Sequence, residues 1–201
     1  MLRNKKGFTL IELLVVIAII AILAVVVILT LNPAELLRQA RDSNRVSDFA
    51  TLKSAISLFE VDVSTSSPIA LGTYGNLYTN ASATIVSSTY ISGTADPTNS
   101  WGYATTSVTV VVTSSSRLVN GSGWIPVNLT AISSGAPIGN LPVDPANTAS
   151  YTYTYSPSST VFKLAAKMES YKYGTGGPSD VVTNDGGQST TTYEQGTNLK
   201  L

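Results

Sequence analysis

The chain contains no histidine and no cysteine in its 201 residues. Without histidine there is no Ser-His-Asp triad, no imidazole general base and no imidazole metal ligand. Without cysteine there is no thiol nucleophile, no disulfide and no thiolate zinc site. The redox compartment therefore stays undecided. Charge is scarce as well: 12 Lys+Arg and 12 Asp+Glu make up 12% of the chain, about half the usual share. The formal charge of zero gives no electrostatic case for nucleic acid. The length allows one domain, or one domain plus a non-globular segment.

Helix breakers are missing from one region and concentrated in the other. From Phe8 to Val63 there is no glycine, one proline (Pro33) and 7 Ser+Thr in 56 residues. From Ser64 to Leu201 there are 14 glycines, 8 prolines and 44 Ser+Thr in 138 residues. The first region reads as helix and the second as turns and strands, with the boundary near Ser64–Pro68.

Residues Leu13 to Leu31 are apolar except for Thr30. Counted from Phe8 the stretch has 24 residues, about 36 Å of helix, enough for a bilayer core of about 30 Å. A core helix apolar on every side would need more protein around it than this chain offers. A cleaved secretory signal would suit the basic start, but the run is too long and no A-x-A site follows. Beyond Pro33, which should kink or break the helix, the pattern turns amphipathic. Phe49, Leu52, Ile56, Phe59 and Val63 form one helical stripe. The pairs Glu35/Arg38, Arg38/Asp42 and Arg45/Asp48 are expected on the exposed side as a solvated face. Arg3, Lys5 and Lys6 before the span and Arg38, Arg41 and Arg45 after it leave the positive-inside count a near tie.

The most specific stretch is Lys5-Lys6-Gly7-Phe8-Thr9-Leu10-Ile11-Glu12, running straight into the apolar helix. It resembles the class III signal of type IV pilins and their pseudopilin relatives. The resemblance implies that a membrane peptidase cuts after Gly7 on the cytoplasmic side and methylates the new amino terminus at Phe8. It implies a cleaved leader (1–7), a transmembrane and filament-core helix (8–31), an amphipathic continuation (32–63) and a β-rich globular domain (64–201) outside the inner membrane. Loss of Arg3, Lys5 and Lys6 would leave 9 basic side chains against 12 acidic ones. Glu12 also has a physical reading of its own. A carboxylate near one end of an apolar span is costly unless it snorkels to the interface or is paired. Cutting after Gly7 creates an amine at nearly the same depth, and a neighbouring subunit shifted along the axis would bring that amine to Glu12. The family assigns this acidic position such a role in assembly.

In the second region Ala83–Ile91, Ser107–Thr113, Tyr151–Tyr155 and Thr160–Met168 read as strands, and Asn128 as the cap of a short helix from Leu129 to Ser133. Val108 to Val112 suits a strand buried on both faces. Tyr151, Tyr153 and Tyr155, alternating with Thr152 and Thr154, suit a half-buried one. The layout expected is α+β and pilin-like, an antiparallel sheet against the helix stripe. Leu141-Pro142-Val143-Asp144-Pro145 resembles a proline-rich segment of major pseudopilins. Many pilins close their C-terminal region with a disulfide, which this chain cannot form. Calcium is another device in that family, and Asp180, Asp185 and Glu194 are its candidate ligands here; turn chemistry at Asp185-Gly186-Gly187 is the plainer account. No other cofactor is expected. Trp101 and Trp124 serve either packing or a ligand platform.

Three functional classes bear on this sequence. The first is a filament subunit: a pilin, with a type II secretion pseudopilin as the alternative. Its partners would be copies of itself, the prepilin peptidase and the inner-membrane assembly machinery. It would stand in the inner membrane before assembly and in an extracellular pilus after it. The second is an anchored enzyme, which would need two of Asp96, Asp144, Glu169, Asp180, Asp185 and Glu194 to face one cleft; nothing in the sequence pairs them. The third is a minor tip pilin with a binding role. With 5 Lys+Arg against 6 Asp+Glu after Val63, the sequence gives no sign of nucleic acid binding.

Overall fold

The computed structural model describes residues 7–63, 71–74, 76–80, 109–112, 116–148 and 150–201. The chain forms two compact units, Met1–Leu37 and Arg38–Leu201.

The first unit is built on helix α1, Leu10–Leu31. Thr9 caps it: its hydroxyl accepts the Glu12 N–H at 3.3 Å, and Glu12 Oε2 accepts the Thr9 N–H at 2.8 Å. This reciprocal capping box satisfies two of the donors that a helix start leaves open. The helix ends where Asn32 turns left-handed (φ 40°), a conformation asparagine tolerates better than most residues. Helix α2, Pro33–Val63, then begins with proline at its first position, where the missing N–H costs nothing. The break expected near Pro33 thus falls at Asn32.

The second unit packs most of α2 against a sheet. The strands are β1 (Asn76–Thr79), β2 (Thr109–Val112), β3 (Thr154–Ser158), β4 (Val161–Ala166) and β5 (Tyr193–Gly196), in the order β2-β1-β3-β4-β5. The pairs β1–β3, β3–β4 and β4–β5 are antiparallel, as expected for an α+β pilin-like layout. β2 departs from that expectation by lying parallel to β1 at the edge. The strand expected at Ala83–Ile91 and the residue Trp101 lie outside the described residues. Asn128 caps a single 3-10 turn, Leu129–Ala131, by accepting the Thr130 N–H.

The α2 stripe is the core. Phe49, Leu52, Ile56 and Phe59 are buried, and Val63 packs at the margin. Burial of such side chains stabilises by roughly 1.5–3 kcal/mol each. Phe49 meets Tyr153 edge-on at 5.0 Å and stacks on Tyr193 at 5.8 Å. Trp124 is buried against Tyr153, with its indole N–H on the Pro142 carbonyl at 2.9 Å, so it packs rather than presents a platform. One expectation is corrected here. Thr152 and Thr154 are buried along with Tyr153 and Tyr155, so this strand is covered on both faces rather than half-buried. Its threonines are satisfied inside: Thr79 Oγ1 donates to the Tyr153 carbonyl and Thr154 Oγ1 to that of Ala165.

Candidate functional site

The segment Gly7 to Glu12 leads directly into a helix with nothing around it. Every side chain described between Phe8 and Leu31 is exposed, Phe8 at 87%. Among the described residues this is the one helix long and apolar enough to cross a membrane. Water is the wrong solvent for such a surface. Lys5 and Lys6 lie outside the described residues. Gly7 is exposed, and a Cβ added there would meet nothing within 4 Å. Among the described residues no contact therefore demands glycine at this position.

Glu12 holds a position that the sequence reading did not identify. Its Oε2 accepts both the Thr9 N–H and the Thr9 hydroxyl, at 2.8 and 2.7 Å. The signal was present in the sequence as T-x-x-E before an apolar run. The carboxylate also stands in the first turn, at the positive end of the helix dipole.

A second cluster fixes α2 to the domain, and it overturns the expectation of a solvated face for Asp42 and Arg45, while Arg38 is exposed as expected. Asp42 and Arg45 are fully buried. Arg45 makes a bidentate pair with Asp144 at 2.7 and 2.8 Å, and reaches Asp42 and Glu169 at 2.6 Å each. Asp42 also accepts the N–H and hydroxyl of Ser170, at 2.7 and 2.6 Å. Arg41 grips Glu169 with two bonds, at 2.9 and 2.5 Å. Burial alone would favour a neutral Arg45, but Asp144, Glu169 and Asp42 outweigh it and hold the guanidinium charged. Asp48 is half-buried and accepts the Tyr153 hydroxyl at 2.7 Å. Burial, and then the Asp48 carboxylate, push that phenol above its ordinary range. The i,i+3 spacing put Asp42 beside Arg45. Nothing local announced that Asp144 and Glu169 would arrive from elsewhere. Those two acids do converge, but on a guanidinium inside the protein rather than across a cleft.

Each of the three calcium candidates is already engaged by protein groups. Asp180 accepts the Thr183 hydroxyl and the N–H groups of Thr183, Gly176 and Val182, which together hold its carboxyl down to about 2. Asp185 accepts the Gly187 and Glu194 N–H groups at 2.7 and 2.6 Å. Glu194 is buried in an ion pair with Lys163. Among the described residues no cluster of three or more acidic side chains is arranged to hold a metal ion.

Comparison with known proteins agrees with the N-terminal geometry. A family model described as the prokaryotic N-terminal methylation motif matches residues 2–28. No curated protein and no solved structure matches the chain. An apolar helix that opens with a capped Thr9-x-x-Glu12 turn directly after Gly7-Phe8, and that lies within this match as far as Ile28, carries the N-terminal methylation motif, the class III prepilin signal of type IV pilins and type II secretion pseudopilins.

Proposed function

We propose that the chain is a structural subunit of a type IV pilus-like filament, processed after Gly7 and assembled through α1. The observation that carries this reading is the methylation signal joined without a spacer to a helix apolar on all sides. Such a helix needs lipid before assembly and neighbouring helices afterwards. Before cleavage the subunit is a single-pass inner-membrane protein with the β-rich domain outside. The peptidase recognises Lys5, Lys6, Gly7 and Phe8, and the requirement for Gly7 belongs to the enzyme's cleft. After cleavage the Phe8 amine of one subunit meets Glu12 of a neighbour within the helix bundle, and the two charges neutralise each other at low dielectric. The uncut leader blocks this by displacing the amine and adding three positive charges.

A pseudopilin is the second reading. Two features favour it: the Leu141–Pro145 segment and the absence of cysteine. The size of the Ser/Thr-rich domain favours a surface pilin.

Glu12→Leu separates processing from assembly. The variant should be cleaved after Gly7 in cells but leave the sheared filament fraction empty, because the amine has lost its counter-charge. Filaments at wild-type yield from this variant would refute the pairing.

A further inference from the structure

β4 sends Phe162, Leu164 and Ala166 into the core against α2. Alternation along the strand therefore turns Lys163 and Ala165 to the opposite face. In the β4–β5 register Ala165 stands opposite Glu194, and Lys163 opposite Gly196. Lys163 and Glu194 are diagonal neighbours on one face, within reach of a long side chain. Gly196 puts no side chain in the way. Both side chains are wholly buried, and Lys163 Nζ touches Glu194 Oε1. Nζ also donates to the Leu199 carbonyl at 3.1 Å.

The surroundings of Glu194 are built. Its second oxygen, Oε2, accepts the backbone N–H groups of Gln188 at 2.7 Å and Ser189 at 3.2 Å. A Cβ at Gly187 would stand 1.7 Å from Oε2 and 3.0 Å from Asp185 Oδ1, so the two carboxyl groups adjoin, and only glycine lets them. Burial pushes the Asp185 carboxyl up and the Lys163 ammonium down. A buried ion pair is costly because two charges leave water.

We propose that Lys163 and Glu194 condense into an intramolecular amide that ties β4 to β5. One proton passes from Nζ to the Oε1 it touches, and the amine then attacks Cδ. Negative charge gathers on Oε2, where the two backbone N–H groups already point. The N–C bond forms and the C–Oε1 bond breaks. Oε1 leaves as water, taking the acid's hydrogen and one hydrogen from the amine. That amine hydrogen passes directly from Nζ to Oε1, which it already touches. No oxidant or further reactant is required. The product is a neutral amide in place of a buried ion pair, and it closes the segment 163–194 covalently in a chain that has no cysteine. The cross-link does not depend on filament assembly.

The test is mass spectrometry of the full chain extracted from producing cells in detergent, read on the proteolytic fragments that carry Lys163 and Glu194. The expected result is a branched fragment joining the two residues and lighter by one water, about 18 Da. The Lys163→Met chain should give both fragments linear at full mass. Linear fragments at full mass from the wild-type chain would overturn the proposal. So would a water loss that maps to Asp185-Gly186 as a succinimide and persists in Lys163→Met. The wild-type fragment map decides the matter even if the variant is not recovered.

Discussion

Arg45 carries more of the fold than any charge pattern on α2 would indicate. Its guanidinium faces three carboxylates, with Tyr151 beneath it at 5.3 Å. Removing it leaves Asp42 and Asp144 buried without their counter-ion. We expect Arg45→Leu to lose about 3–5 kcal/mol, the range for breaking a buried pair on one side. Urea unfolding of the full chain in detergent reads this directly. A midpoint shift typical of a surface pair, below about 1 kcal/mol, would mean the cluster is solvated after all. The residue scale was also where the sequence was hardest to read. Spacing tells which side chains share a helix face, and Asp42 and Arg45 do share one. It does not tell that Asp144 and Glu169, about a hundred or more positions away, will turn that face inward. Thr9 is the opposite case: its cap on Glu12 is local, and the motif was there to be read.

Between elements, the same cluster ties α2 to the segment after β4. Glu169 gives that tie an acid dependence. Burial favours its neutral form, but Arg41 and Arg45 outweigh this and hold the carboxyl below its ordinary 4.5. A carboxylate depressed by folding contributes stability that is fully present above its unfolded value and lost as pH falls through the folded one. The melting temperature should therefore fall as pH drops from about 5 to about 3. In Glu169→Gln that acid dependence should weaken, from a lower starting point at neutral pH. Circular dichroism melts across the range check both, and an unchanged slope in the variant would contradict the assignment. Among the elements themselves, legibility followed pattern strength. The α2 stripe was legible because four of its five apolar positions are fully buried at one helical period. β4 was legible as an apolar run. β1 and β5 were missed because Asn76–Thr79 and Tyr193–Gly196 are short and half polar, and their partners lie far along the chain. β3 was read too early: the pattern of tyrosines starts at Tyr151, while the ladder with β4 runs from Thr154 to Ser158 and includes Pro157.

For the whole molecule, the two compact units follow from two solvents. Arg38–Leu201 has its own core and its own buried ion clusters. Met1–Leu37 has an apolar helix with no protein cover in a single copy. On the proposed reading neighbouring copies complete such a chain, and the motif matched over residues 2–28 marks the processing that readies it for them. The most direct measurement is intact-mass and N-terminal peptide analysis of filaments sheared from producing cells, beside the membrane fraction left behind. The filament reading predicts an abundant chain in the sheared fraction that begins at Phe8 and carries a methyl group on its amine. A chain still beginning at Met1 in both fractions would contradict it.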